Sequence, residues 1–107
     1  MSSKFENVED QKLEVLAQAT LRRTGATQAA ALRDSTGRTY VARNVSTANL
    51  TLDAVEAVFT VALASQIEAI EAVVVIGSGP INLALVREHT PSSLLWVVAP
   101  DGEIESL

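Results

Sequence analysis

Leu13, Leu16, Ala17, Thr20 and Leu21 recur at spacings of three and four through an otherwise polar stretch, and this predicts an amphipathic helix over residues 8–23. Asn7 is placed to cap it, Arg22 and Arg23 lie at the negative end of its dipole, and Gly25 ends it. The period then changes. Residues 28–33 and 38–44 flank Asp34-Ser35-Thr36-Gly37, a four-residue turn whose glycine can take positive φ, and together they predict a β-hairpin. Residues 52–64 are apolar nearly all round, so a helix here must be covered on several sides. Residues 72–76 and 94–98 are unbroken apolar runs, the pattern of strands buried on both faces of a parallel or mixed sheet. Between them, Gly77-Ser78-Gly79-Pro80 forms a loop, and residues 81–88 fit two turns of helix, with a strand over 81–86 as the alternative. The expected order is α, β-hairpin, α, β, short α, β. It makes one domain over 1–107, with a polar N-terminal arm at 1–9 and a C-terminal tail at 103–107.

Composition narrows the chemistry. The 107 residues include no cysteine, which excludes disulfides, thiolate nucleophiles and thiolate-held zinc or iron–sulfur sites, and which suits a reducing compartment such as the cytoplasm. Thirteen acidic against eight basic side chains give a net charge of −5, and Arg22-Arg23 is the one adjacent basic pair, so neither nucleic acid nor anionic lipid is an expected partner. The apolar runs are far too short to span a bilayer, and neither a membrane segment nor a targeting signal is expected.

Ala29-Ala30-Ala31-Leu32, Asp34, Gly37-Arg38-Thr39-Tyr40, Asn44-Val45 and Leu50-Thr51-Leu52, followed by Glu88, Pro91 and Asp101-Gly102, resemble the small cytidine deaminases in order and position. That family carries G-A-A-L and D-G-x-x-Y in a hairpin, then N-V-E, then L-T-x before its zinc-binding C-A-E, and later E-F-x-P and a D-G turn. The resemblance covers roughly residues 10–102 and implies a three-layer α/β/α sandwich around a mixed sheet. If 81–86 were a strand, the alternative would be a roadblock-like α/β domain with an antiparallel sheet.

In the family, zinc held by three ligands at the N-termini of two helices activates a water, and the glutamate of C-A-E moves the protons. Here that motif falls on Asp53-Ala54-Val55, and Glu56, one residue later, is turned about 100° away on a helix. The P-C-x-x-C cysteines fall on Ile81 and Ala84 if Pro80 is the anchor, or on Gly79 and Asn82 if Glu88 and Pro91 are. The ribose-binding N-x-E becomes Asn44-x-Ser46, and Ala26 stands where an aromatic is expected. The expectation is a scaffold without zinc, other cofactor or deaminase chemistry, with Asn44 and Asp53 as remnants of a ligand pocket.

Asp53 and Glu56 would serve as an acid/base pair in the rival reading, a nucleoside-binding or weakly active hydrolase. The plainer role for two carboxylates in a first turn is to stabilise the helix dipole. The Gly77–Pro80 loop matches neither the P-loop nor the dinucleotide fingerprint and reads as an ordinary turn. His89 is expected to close the short helix and Trp96 to lie in the core. On the helix of 52–64, Ala54, Val58, Val61 and Ala62 are assigned to a side opposite Leu52, Val55, Phe59 and Leu63. That side is expected to build a homodimer or homotetramer, an assembly the resemblance also implies. An unidentified protein is the other partner considered.

Overall fold

The computed structural model describes residues 5–107; of the polar arm, residues 1–4 lie outside the described residues. Helix α1 is Val8–Thr24, strands β1 and β2 are Gln28–Asp34 and Thr39–Arg43, a small ribbon consists of β3 (Val45–Ser46) and β4 (Thr51–Leu52), and helix α2 is Ala54–Ala64. Strand β5 is Ile70–Gly77, helix α3 is Ala84–His89, and strands β6 and β7 are Leu94–Val98 and Ile104–Ser106. The caps act as the pattern predicts. The Asn7 side chain accepts a hydrogen bond from the Glu9 N–H at 2.8 Å, and the Gly25 N–H closes the far end of α1 on the Leu21 carbonyl at 3.0 Å. Among the described residues, no helix is long and apolar enough to cross a membrane.

The five-stranded sheet has the order β2-β1-β5-β6-β7, with β5 and β6 parallel and every other pair antiparallel. Strand alternation then divides the core in two. Ala29 and Ala31 with Ala72, Val74, Ile76 and Val98 face Leu13 and Ala17 of α1. Ala30 and Leu32 with Val73, Val75 and Leu95 face α2 and Val86 of α3. Helices thus cover both faces, the three-layer α/β/α sandwich expected from the sequence. Alanines in the middle of β1 let α1 and α2 approach from opposite sides, which is why that strand is buried along its whole length.

Three expectations are corrected. Residues 81–86 form no strand: α3 starts at Ala84, and the parallel β5–β6 pair rules out the antiparallel roadblock-like alternative. The tail at 103–107 contains β7, whose three residues, two of them exposed, are too short and too polar to show an apolar pattern. Helix α2 starts at Ala54 rather than at 52, because Leu52 pairs with Val45 in the ribbon.

Two polar arrangements brace the sheet. Arg33, 4% exposed in β1, donates to Asp10 of α1 at 3.0 Å and to Glu71 of β5 at 2.7 Å. The register shift between Arg33 and Asp34 skips Glu71 and brings its side chain to the guanidinium. Burial opposes the Arg33 charge, but the hydrogen bonds to Glu71 and Asp10 outweigh it and hold its pKa above the ordinary value.

In the hairpin turn, the Asp34 carboxylate accepts from the Thr36 N–H and hydroxyl and from the Arg38 N–H, at 2.7–2.9 Å. Burial raises its pKa, yet the bonds from Thr36 and Arg38 and the charge of Arg38 leave it below the ordinary aspartate value. A pKa depressed on folding contributes stability above the unfolded-state value, and that contribution is lost as pH falls through the folded-state value. Thermal melts from about pH 6 to about pH 2 are therefore expected to show a falling midpoint that is shallower in Asp34→Asn.

Candidate functional site

The start of α2 and the loop from β5 to α3 meet beside the first residue of β1, and the side chains of Asp53, Gln28 and, at 3.5 Å from the Asn82 amide, Glu56 join them. Asp53 caps α2: its Oδ1 accepts from the Glu56 N–H at 2.9 Å while Glu56 Oε1 accepts from the Asp53 N–H at 2.9 Å, a complete capping box. Its other oxygen, Oδ2, accepts from the Asn82 N–H at 2.8 Å. Gln28, 4% exposed, accepts from the Ala54 N–H through Oε1 at 3.0 Å and donates through Nε2 to the Pro80 carbonyl at 3.0 Å. Asn44 closes the group from the hairpin side, its Oδ1 accepting from the Gln28 N–H at 3.1 Å.

Gln28 thus links Asn44 to Ala54, the residue after Asp53, and Asn44 and Asp53 each already bond to this chain's own backbone. Sequence reasoning missed Gln28. The available signal was a polar residue opening a strand that must be buried, because a buried amide needs partners. The Asp53–Asn82 contact brings the Asn82 backbone beside the start of α2 and leaves Ala84 inside α3.

The family's zinc requires three protein ligands and an open position. The residues here do not fit it. There is no cysteine in the chain, both oxygens of Asp53 accept backbone N–H groups, and among the described residues no three of His, Cys, Asp and Glu come together to hold an ion. His89 stands at the other end of α3, edge-on to Phe59 with ring centroids 5.7 Å apart and with Nδ1 2.8 Å from the Thr90 hydroxyl. Val55, in the position of the family's glutamate, is fully buried in the core on the α2 side.

The interface assigned to α2 is corrected for three of its four residues. Ala54, Val58 and Ala62 are fully buried in this chain's own core, and only Val61 is exposed, at 44%. Spacing of four puts Ala54, Val58 and Ala62 in one row, and Val55 lies beside it. Alanine at both ends of that row lets the helix settle close to the sheet. The outer side carries Thr60, Val61 and Leu63 instead. Beside it, between β2 and the ribbon, runs a groove of about 390 Å³ lined by Val41, Val45, Leu52 and Val61. A larger groove of about 620 Å³ lies on the opposite face, between α1 and the β6–β7 turn, and includes none of Asn44, Asp53 or Glu56.

A mixed five-stranded sheet between helical layers, with polar residues gathered where two helices begin, defines the class of α/β/α sandwiches to which deaminase folds belong. The family model described as Cytidine deaminase-like matches residues 6–102, and the chain belongs to that family. The cytidine deaminase from Burkholderia pseudomallei superposes with a TM-score of 0.72 at 21% identity, over 91% of this chain and 90% of that one. The cytidine deaminase from Mycobacterium leprae gives 0.60 at 20% identity, over 87% and 91%. No curated protein matches the sequence.

Proposed function

We propose that this protein is a cytidine deaminase-like module without zinc or deaminase chemistry, working by binding and assembly, with a second copy of itself as the first partner. The observation that carries this is the use of the would-be catalytic side chains inside the fold: Val55 lies in the core, and both oxygens of Asp53 hold backbone N–H groups. Glu56 and Asp53 complete each other's capping box, so neither carboxylate is left over as a general base. Asn44 is engaged likewise with Gln28, and nucleoside affinity is expected to be no tighter than about a millimolar, roughly 4 kcal/mol. Val61 and Leu63, 44% and 43% exposed on the outer side of α2, supply the apolar surface for self-association.

One purified sample tests both halves. Elemental analysis and an ammonia-release assay with cytidine are expected to give no stoichiometric zinc and no turnover; turnover abolished by a chelator would overturn the non-catalytic reading. Light scattering coupled to size exclusion is expected to give a dimer or tetramer for the wild type and a folded monomer for Val61→Glu. A wild type that is monomeric at tens of micromolar would defeat the assembly reading. Val58→Glu is no substitute as a probe, because it places a charge in the core.

A further inference from the structure

The Asp53 carboxylate acts on two separate segments. One oxygen takes the Glu56 N–H in the first turn of its own helix, and the other takes the Asn82 N–H, 29 residues along the chain, in the loop that leads into α3. Capping a helix requires only the first of these bonds. The geometry points to Asp53 as a positioning residue that fastens the start of α2 to the β5–α3 loop, joining by hydrogen bonds the two segments that the family joins by metal ligation. The inference rests on the non-catalytic reading of the site and adds what has taken over the joining.

The surroundings show why such a fastening matters. Ser78, Gly79, Pro80 and Asn82 are exposed, and of this loop only Ile81 and Leu83 pack, partly buried, against the core on the α2 side, so its polar positions depend on hydrogen bonds for their place. Its hydrogen bonds to the rest of the chain, α3 apart, are the Ser78 N–H on the Thr27 carbonyl at 2.9 Å, those made by Gln28 and Asp53, and a longer one from the Asn82 side-chain amide to Glu56 Oε2 at 3.5 Å. Gln28 runs alongside Asp53, with one end of its amide on Ala54 of α2 and the other on Pro80 of the loop. The two side chains therefore bridge the same pair of segments, and neither bridge requires an ion.

Asp53→Asn separates this role from helix capping. Asparagine caps as well as aspartate does, but its single oxygen cannot accept from both Glu56 and Asn82. Asp53→Ser also keeps the cap and is too short to reach the loop. Amide hydrogen exchange of the full chain by NMR is the measurement. In Asp53→Ser, exchange at Asn82 is expected to rise about tenfold or more while Glu56 stays protected, as for the loss of one bond to a charged acceptor. In Asp53→Asn, one of the two amides is expected to lose protection to the same degree. A chelator is expected to leave wild-type exchange unchanged.

The proposal is overturned if Asn82 is unprotected in the wild type, if both amides stay protected in both variants, or if chelation alone releases Asn82. Ammonia release from cytidine would sink the non-catalytic reading, whereas exchange at Asn82 does not depend on turnover, so the two failures are distinguishable.

Discussion

Gly77→Ala is expected to be severely destabilising, by about 3 kcal/mol or more, with a midpoint lower by roughly 12 °C or more for a domain of this size. A Cβ at this position would stand 2.1 Å from the Thr27 carbonyl oxygen and 2.8 Å from the Gln28 Cα, both of them backbone atoms that no rotamer change can move. The backbone here has φ of +106°, which adds about 1–2 kcal/mol of conformational strain to about 1–3 kcal/mol of overpacking. Gly37→Ala is the control. Its φ is +91°, but nothing lies within 4 Å of the new methyl, so only the conformational part of the cost is expected. Thermal melts of the two variants separate them, and equal losses would show that the crowding at Gly77 is relieved by a backbone shift. The crowded atoms belong to the start of β1, so the same substitution is expected to loosen Gln28 and, through it, the start of α2.

The second large effect concerns the buried ion pair. Asp10→Ala removes the buried partner of Arg33 and leaves a guanidinium that is 4% exposed with only Glu71, itself half in water. Breaking such a pair from one side costs about 3–5 kcal/mol, a large part of the roughly 5–15 kcal/mol that holds an ordinary domain together. Glu71→Ala is expected to cost less, below about 1 kcal/mol, because an exposed carboxylate is screened by solvent. The double variant Asp10→Leu/Arg33→Met is expected to recover much of the loss, since two apolar side chains of similar length can fill the same space. Urea unfolding of the wild type, Asp10→Leu, Arg33→Met and the double variant gives the coupling directly, and additive losses from Asp10 and Arg33 would show that the two do not act as a pair.

Both effects depend on contacts between distant parts of the chain, and this is where reading the sequence stopped. The hairpin turn at Asp34–Gly37, the caps at Asn7 and Gly25 and the doubly buried strand at 72–76 were legible, because each depends on residues within one turn or one strand period, whereas 94–98, read the same way, is exposed at Leu94 and only partly buried at Trp96 and Val97. That no thiolate is available was legible for a simpler reason, since the chain has no cysteine. Asn44 and Asp53 were singled out through the family resemblance, and in the structure Gln28 bonds to Asn44 on one side and to Ala54, next to Asp53, on the other.

The tertiary structure decided which side of α2 is inside. A helix apolar all round carries no internal mark of its buried stripe, and the sheet, lined by Ala30 and Ala42, took the row with alanine at 54 and 62. Only the fold could show that the Asn82 N–H reaches Asp53, because that depends on how the loop after Gly77 turns back toward α2. Gln28 became visible as the connector only when β1, α2 and that loop met, since its partners lie 26 and 52 residues away. Periodicity reports which residues share a face of their own element. Which elements then meet is set by packing over the whole chain, and in this protein the candidate site is made of those meetings.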